Sequence, residues 1–225
     1  MIGITSCKKK SSASAVTYLL KSFIHENAGV KDTTVYSYNN DGKVIAAVMG
    51  TSNVVYTYSG HTINRTLSHP PNTPSRDSII IGANGFISED YLFYDDGTIS
   101  TRNIYSYNSQ NQLTQQTTTD YPSMAVTITD LTLLNGDIVG ETYGSNTATI
   151  SYYDKPSAIG DYWYIAEFTN YGAFYYKPNH LVETIIQSGN TNSFAYEFDA
   201  NGNVSKLTVT EGANIDIYYL TWSTN

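Results

Sequence analysis

The chain has 225 residues, a formal charge of −8 and only 14% charged residues, and it contains 21 Tyr against 7 Phe and 2 Trp. Without its first ten residues the charge is −11, and no basic cluster follows that could displace phosphate counterions, which excludes nucleic acid as a partner. No run of about 18 apolar residues is present, so the sequence predicts no transmembrane helix.

The single cysteine lies near the start of the chain. The segment Ile4-Thr5-Ser6-Cys7 resembles a bacterial lipobox, in which a branched apolar residue and two small residues precede the cysteine that is lipidated. An inert thiol is the alternative, but three lysines and then the small, polar residues 11–15 follow as a flexible tether would. We therefore expect residues 1–15 to be a leader and tether lipidated at Cys7. Only six residues precede Cys7, so we expect the given start to lie inside the signal peptide.

Residues 16–225 alternate apolar and polar side chains with a period of two, interrupted by clusters of Asn, Asp and Gly. The recurring unit is a pair of aromatic residues two apart, a short turn and an aliphatic residue, as in 36–44 (YSYNNDGKV) and 196–204 (YEFDANGNV). Asn, Asp and Gly tolerate the positive φ that hairpin turns require. The pattern predicts one all-β domain: an extended antiparallel up-and-down meander of about a dozen strands, forming an open or partly closed, barrel-like sheet.

The first and last hairpin units correspond over about thirty residues. Leu20 and Leu181 are 161 positions apart, while Gly42 and Gly202 are 160 apart. We interpret the two regions as one two-hairpin module used twice.

Two segments interrupt the alternation. Residues 69–74 contain three prolines, which donate no ladder hydrogen bonds, and are predicted to be a loop. Residues 152–180 are rich in aromatic residues and are predicted to form a long excursion packed over one end or one face of the sheet. The candidate binding surface lies in it and consists of Tyr162, Trp163, Tyr164, Phe174, Tyr175 and Tyr176. The alternative is that these side chains form a small core of their own.

The order of three segments resembles a known family. Segments 152–156 (YYDKP), 177–182 (KPNHLV) and 196–204 are similar to those of Bacteroidetes lipoproteins that carry a domain of unknown function with a porin-like, meandering β fold. The resemblance covers residues 16–222, and the hairpins alone also resemble YD repeats. It implies this fold and a lipoprotein of the cell envelope, on the periplasmic or surface face of the outer membrane, and it supplies no catalytic or binding residues.

No pattern of metal ligands or catalytic groups is present in the sequence. His25, His61, His69 and His180 lack ligand spacing and are predicted to be surface or loop side chains. Segments 39–42 and 199–203 resemble calcium loops only weakly, because the distal Glu is missing. Acidic pairs of the glycosidase kind cannot be chosen without the fold. We therefore predict no metal, no cofactor and no enzymatic activity.

The leading functional prediction is a non-enzymatic envelope lipoprotein whose β scaffold binds a glycan, a peptide or a partner protein. A purely structural envelope component is the alternative, and a hydrolase is third. A transmembrane barrel is disfavoured, because many strands alternate Tyr or Val with Thr, Ser and Asn rather than presenting an apolar band.

Overall fold

The computed structural model describes residues 17–68, 76–168 and 171–224, so Cys7, the leader and the proline-containing segment 69–74 lie outside the described residues. These ranges form sixteen strands and one π-helical segment. The strands are β1 (Tyr18–Asn27), β2 (Val30–Tyr38), β3 (Val44–Met49), β4 (Ser52–Ser59), β5 (Thr62–Leu67), β6 (Arg76–Ile81), β7 (Ile87–Phe93), β8 (Ile99–Tyr107), β9 (Leu113–Asp120), β10 (Ala125–Leu134), β11 (Asp137–Tyr143), β12 (Asn146–Pro156), β13 (His180–Gln187), β14 (Asn190–Phe198), β15 (Val204–Glu211) and β16 (Asn214–Thr224). The π-helical segment is Tyr164–Phe168, between β12 and β13.

Each strand pairs antiparallel with its neighbours in sequence, and β1 pairs with β16, so the sheet closes into a barrel. The predicted all-β meander is confirmed, whereas the predicted number of about a dozen strands and the open or partly closed sheet are wrong. Turns as short as residues 50–51 leave room for sixteen strands in this length. Closure of the barrel could not be predicted, because it depends on pairing between β1 and β16, at the two ends of the chain. No local sequence pattern encodes this pairing.

The two ends of the barrel differ. Because strands alternate in direction, Tyr18, Thr224 and the segment between β12 and β13 all lie at one end, which we call the plugged end. Residues 157–168 and 171–179 of that segment enter the barrel there, and we call them the plug. In the part of the chain that the structure describes, the other end carries short turns such as residues 28–29 and 50–51, and we call it the open end.

Side chains of the barrel wall alternate between the lumen and the outer surface, except where β-bulges shift the register. On β4, Val54 and Tyr56 are buried inside while Val55 and Thr57 are exposed outside. This period of two is the pattern expected of a pleated strand with one face in a core. Buried inward side chains from the strands and from the plug form one continuous core.

Aromatic side chains inside the barrel complete the hydrogen bonding of β-bulges. A bulge leaves a backbone group unpaired, and a buried unpaired carbonyl is destabilising. Near the plugged end, five even-numbered strands each carry an aromatic side chain that donates a hydrogen bond to the preceding strand. The acceptor is the backbone carbonyl of a buried residue at a bulge, and the distances are 2.5 to 2.9 Å. The pairs are Tyr38 with Leu20, Tyr58 with Val44, Tyr107 with Ile87, Tyr152 with Ile138, and Trp222 with Val204.

We expect Tyr58→Phe to lower the free energy of unfolding by about 1–3 kcal/mol, because it leaves the Val44 carbonyl without its donor in a buried position. Urea unfolding followed by tryptophan fluorescence measures this change. Tyr94→Phe is the matched control, since the Tyr94 hydroxyl hydrogen-bonds to no other residue in the described part of the chain. Equal losses in the two variants would show that the bulge hydrogen bond contributes nothing.

Candidate functional site

The plug is held at its start by a buried carboxylate. Asp161 Oδ1 accepts a hydrogen bond from the Tyr164 backbone N–H at 3.0 Å, and Oδ2 accepts one from the Ala158 N–H at 3.2 Å. Burial raises the pKa of Asp161 above its ordinary value. The carboxylate therefore caps the turn that leads into the π-helical segment, as an N-cap residue does.

A second buried carboxylate holds the end of the plug. Asp137 of β11 accepts hydrogen bonds from the Asn179 and His180 backbone N–H groups at 2.8 and 3.0 Å. Its other oxygen lies 2.7 Å from His180 Nδ1. Asp161 thus orders the start of the plug from within, whereas Asp137 attaches its end to the wall.

The six residues predicted as a binding surface lie within the barrel. Tyr164 and Tyr176 are buried, and the other four are partly buried against the core. Tyr175 stacks on Tyr105 of the wall with ring centroids 4.4 Å apart, and the Tyr176 hydroxyl donates to the Gly136 carbonyl at 2.9 Å. The structure therefore brings the six together, but as lumen filling rather than as an outward groove.

A polar cluster faces the plug from the barrel wall. Asp90 is fully buried and accepts hydrogen bonds from Tyr105 at 2.7 Å and from Asn103 at 3.0 Å. Nearby, Arg65 Nε lies 2.6 Å from an Asp77 carboxylate oxygen, and the guanidinium lies over the Tyr171 ring at 5.5 Å. Arg65 and Asp77 thus pair with each other, and Asp90 has two neutral hydrogen-bond donors, so each of these buried charged groups has a polar partner.

Glu167 is a buried carboxyl within the plug itself. It is 5% exposed, and one of its oxygens accepts the Tyr175 backbone N–H at 2.7 Å. Loss of hydration on burial raises the pKa of Glu167 to about 8. Glu141, on the wall at β11, also has a raised pKa because it is desolvated. Both side chains line a cavity of about 420 Å³ that also contacts Trp163, Tyr171 and Tyr175, and we call it the wall cavity.

A second cavity, of about 700 Å³, lies between the plug and the wall on both sides of the β1–β16 pairing, and we call it the seam cavity. Strands β15, β16, β1 and β2 form its wall, and it reaches the exposed Gly50 and Thr51 at the open end. Tyr162 and Ile165 of the plug line it as well. Its lining is Phe23, His25, Asp32, Thr34, Met49, Gly50, Thr51, Tyr162, Ile165, Ala166, Leu207, Val209, Asp216 and Tyr218.

His25 lies at the centre of the polar part of the seam cavity. Its Nε2 is 2.7 Å from Asp216 Oδ1, and its ring stacks on Tyr218 with centroids 4.7 Å apart. Asn27 also donates to Asp216, at 2.6 Å, and these two hydrogen bonds lower the pKa of Asp216. Asp32 faces His25 directly across the β1–β2 pairing.

The prediction that every histidine is a surface or loop residue is wrong for His25 and His180, which lie on strands, are only partly exposed and contact Asp216 and Asp137. The sequence signal was present, because residues 23, 25 and 27 on β1 and residues 216, 218 and 220 on β16 alternate as inward positions. What the sequence lacks is the information that these strands are neighbours.

Within the described ranges, no group of three or more His, Cys, Asp or Glu side chains is arranged to hold a metal ion. No helix in those ranges has the length and hydrophobicity needed to cross a bilayer.

Two solved structures share this fold. A porin-like protein from Bacteroides uniformis ATCC 8492 aligns with a TM-score of 0.68 at 12% identity, covering 91% of this chain and 98% of that one. A porin-like protein from Bacteroides vulgatus ATCC 8482 aligns with a TM-score of 0.63 at 13% identity, covering 92% and 99%. No family model matches the sequence, and no curated protein matches it. The class is therefore defined by structure alone: an all-β, closed antiparallel meander of the porin-like type.

Glu167 gives stability a defined dependence on pH. Between about pH 4.5 and 8 its carboxyl is neutral in the folded protein and charged in the unfolded chain, so raising the pH favours unfolding by up to about 1.4 kcal/mol per pH unit. We expect Glu167→Gln to remove this contribution and to flatten the decline in unfolding free energy from pH 5 to pH 8. Urea unfolding at several pH values measures the slopes.

Glu211→Gln, at the exposed end of β15, is the control and should keep the wild-type slope. Asp90, Asp161 and Glu141 also have raised pKa values and contribute equally to the slopes of all three proteins. Parallel slopes for wild type and Glu167→Gln would contradict the assignment.

Proposed function

We propose that the protein is a lipid-anchored envelope protein whose closed β-barrel is a non-enzymatic binding module for a glycan, a peptide or a partner protein. One observation carries the proposal: the plug occupies the end of the barrel where the chain termini lie, while the seam cavity reaches the opposite end. A lipid on Cys7, eleven residues before Tyr18, would place the plugged end towards the membrane. The open end would then face away from it.

The chemistry of the outer surface supports a barrel that lies outside the bilayer. Ion pairs cross neighbouring strands on the outside, including Arg102–Glu89 at 2.8 Å near the middle of β8 and Lys206–Glu197 at 2.7 Å. A charge facing lipid near the bilayer midplane costs about 2–4 kcal/mol for Arg or Lys.

Aliphatic side chains are present on the same outer surface but do not form a continuous band. Val35 and Val55 are exposed, yet the outward neighbours on their strands include Ser37 and Thr57. This alternation of aliphatic with hydroxyl-bearing side chains is compatible with contact with water.

The porin-like description of the two structural neighbours supports placement in the envelope of a Bacteroides-type cell. The net charge of −8 and the lack of a basic cluster in the sequence after residue 10 argue against nucleic acid as the partner. The proposal includes no cofactor, and the periplasmic and surface faces of the outer membrane both fit it.

A purely structural envelope component is the second candidate. The observation that favours it is that the six residues predicted as a binding surface are covered by one another and by the wall, for example Tyr162 against Trp163 with ring centroids 5.2 Å apart. A hydrolase is third, and turnover in a screen of glycoside, peptide and ester substrates would promote it. Retention of an envelope glycan or protein by the wild-type barrel distinguishes the binding module from the structural component.

The anchor and the position of the barrel are tested together by Cys7→Ser. We expect the wild-type chain, exported in a bacterial host behind a complete lipoprotein signal peptide, to incorporate labelled fatty acid and to enter the detergent phase on Triton X-114 partition. The variant should lose the label and enter the aqueous phase while keeping its β-rich circular dichroism spectrum. A variant that stays in the membrane would contradict the proposal and favour a barrel embedded in the bilayer.

A further inference from the structure

The seam cavity has the size and the mixed lining of a small-molecule site. Ligand cavities are commonly about 300–1,000 Å³, mostly apolar, with a few polar groups placed to orient the ligand. The seam cavity, at about 700 Å³, fits this description.

The apolar part of the cavity comes from wall and plug together. Leu207 is buried on β15, Phe23 lies on β1, and Tyr162 and Ile165 close the inner side. Such a surface, with two aromatic rings and aliphatic side chains, accommodates an apolar or aromatic group.

The polar part of the cavity is acidic. Asp32 and Asp216 lie on β2 and β16, on either side of His25 on β1. Among the described residues that line the cavity, none is Lys or Arg. Asp216 is already bound by His25 and Asn27, whereas Asp32 is exposed and makes no side-chain ion pair with another described residue. The field at this part of the cavity therefore favours cations over anions.

We propose that the seam cavity binds a small molecule with an apolar or aromatic body and one cationic group, such as an arylalkylamine. The body lies against Phe23, Leu207 and Tyr162, and the cation lies near Asp32 and Asp216. This inference rests on the proposed binding function and specifies its site and its class of ligand. It departs from the sequence prediction, which placed the binding surface on the aromatic residues of the plug alone.

Isothermal titration calorimetry with three matched probes tests the proposal. The probes are 2-(1-naphthyl)ethylamine, 2-(1-naphthyl)ethanol and 3-(1-naphthyl)propionate, which share the aromatic body and differ in charge. The protein is the full-length chain expressed without export, so that Cys7 carries no lipid. We expect the amine to bind about tenfold more tightly than the alcohol, and the carboxylate to bind most weakly.

Variants assign the two parts of the site. Asp32→Asn should weaken amine binding about three- to tenfold and leave alcohol binding unchanged, since it removes the charge without changing the shape. Leu207→Trp should weaken all three probes by filling the apolar part. Asp154 is an exposed residue near the end of β12, away from the cavity. Asp154→Asn also removes one negative charge and should leave all three affinities unchanged.

Equal affinities for amine and alcohol, or equal effects of Asp32→Asn and Asp154→Asn, would overturn the cationic preference. Binding that Leu207→Trp leaves intact would overturn the location, and circular dichroism shows whether that variant is folded. Because Asp32 is exposed, Asp32→Asn provides a test that does not depend on the packing of the core. Failure of all three probes to bind also overturns the inference, while the partition of wild type and Cys7→Ser decides separately on the proposed envelope anchor.

Discussion

A sixteen-strand barrel encloses more space than the side chains of its own wall can fill, and the rest of this structure depends on how that space is occupied. Barrels of about eight strands fill themselves, whereas those of sixteen or more leave a channel unless other chain enters. Here the plug enters between β12 and β13 and joins the core of the wall. Backbone groups of the plug that are buried in the lumen need hydrogen-bond partners, and Asp137, Asp161 and Glu167 accept several of its N–H groups. This need explains three of the buried acids of the lumen.

The need to fill a wide lumen also explains why tyrosine is abundant. An inward side chain in a wide barrel must fill volume near the wall and must also satisfy the carbonyls that the bulges leave unpaired. Tyrosine does both, because its ring packs while its hydroxyl donates, and Tyr58 and Tyr152 show the arrangement. Phenylalanine would fill the volume alone. The closing strand uses the indole of Trp222 in the same way, which indicates that the requirement is for an aromatic donor rather than for tyrosine itself.

The hairpin turns could be predicted from the sequence because their determinants are local. Asn39 and Asp199 each accept backbone N–H groups two and four residues further on, and Asn108 does the same in the turn without glycine, where Asn111 takes a φ of +60°. The closure of the barrel and the position of the plug could not be predicted, because an aromatic segment that covers a sheet face and one that fills a lumen have the same composition. The seam cavity was beyond prediction for a related reason: Phe23 and Leu207 meet only after closure.

Closure of the barrel and formation of the seam cavity are therefore one event. His25 on β1 and Asp216 on β16 are 191 positions apart, and their contact at 2.7 Å crosses the pairing that closes the sheet. In an open sheet these two strands would be opposite edges, with unpaired backbone groups and no common pocket. The plug then bounds the space that remains, because Tyr162 and Ile165 form the inner side of the seam cavity, which extends towards the open end. The seam cavity requires that the barrel be closed and that the plug fill only part of the lumen. It is therefore a property of the whole barrel and could not be formed by any single hairpin of this chain.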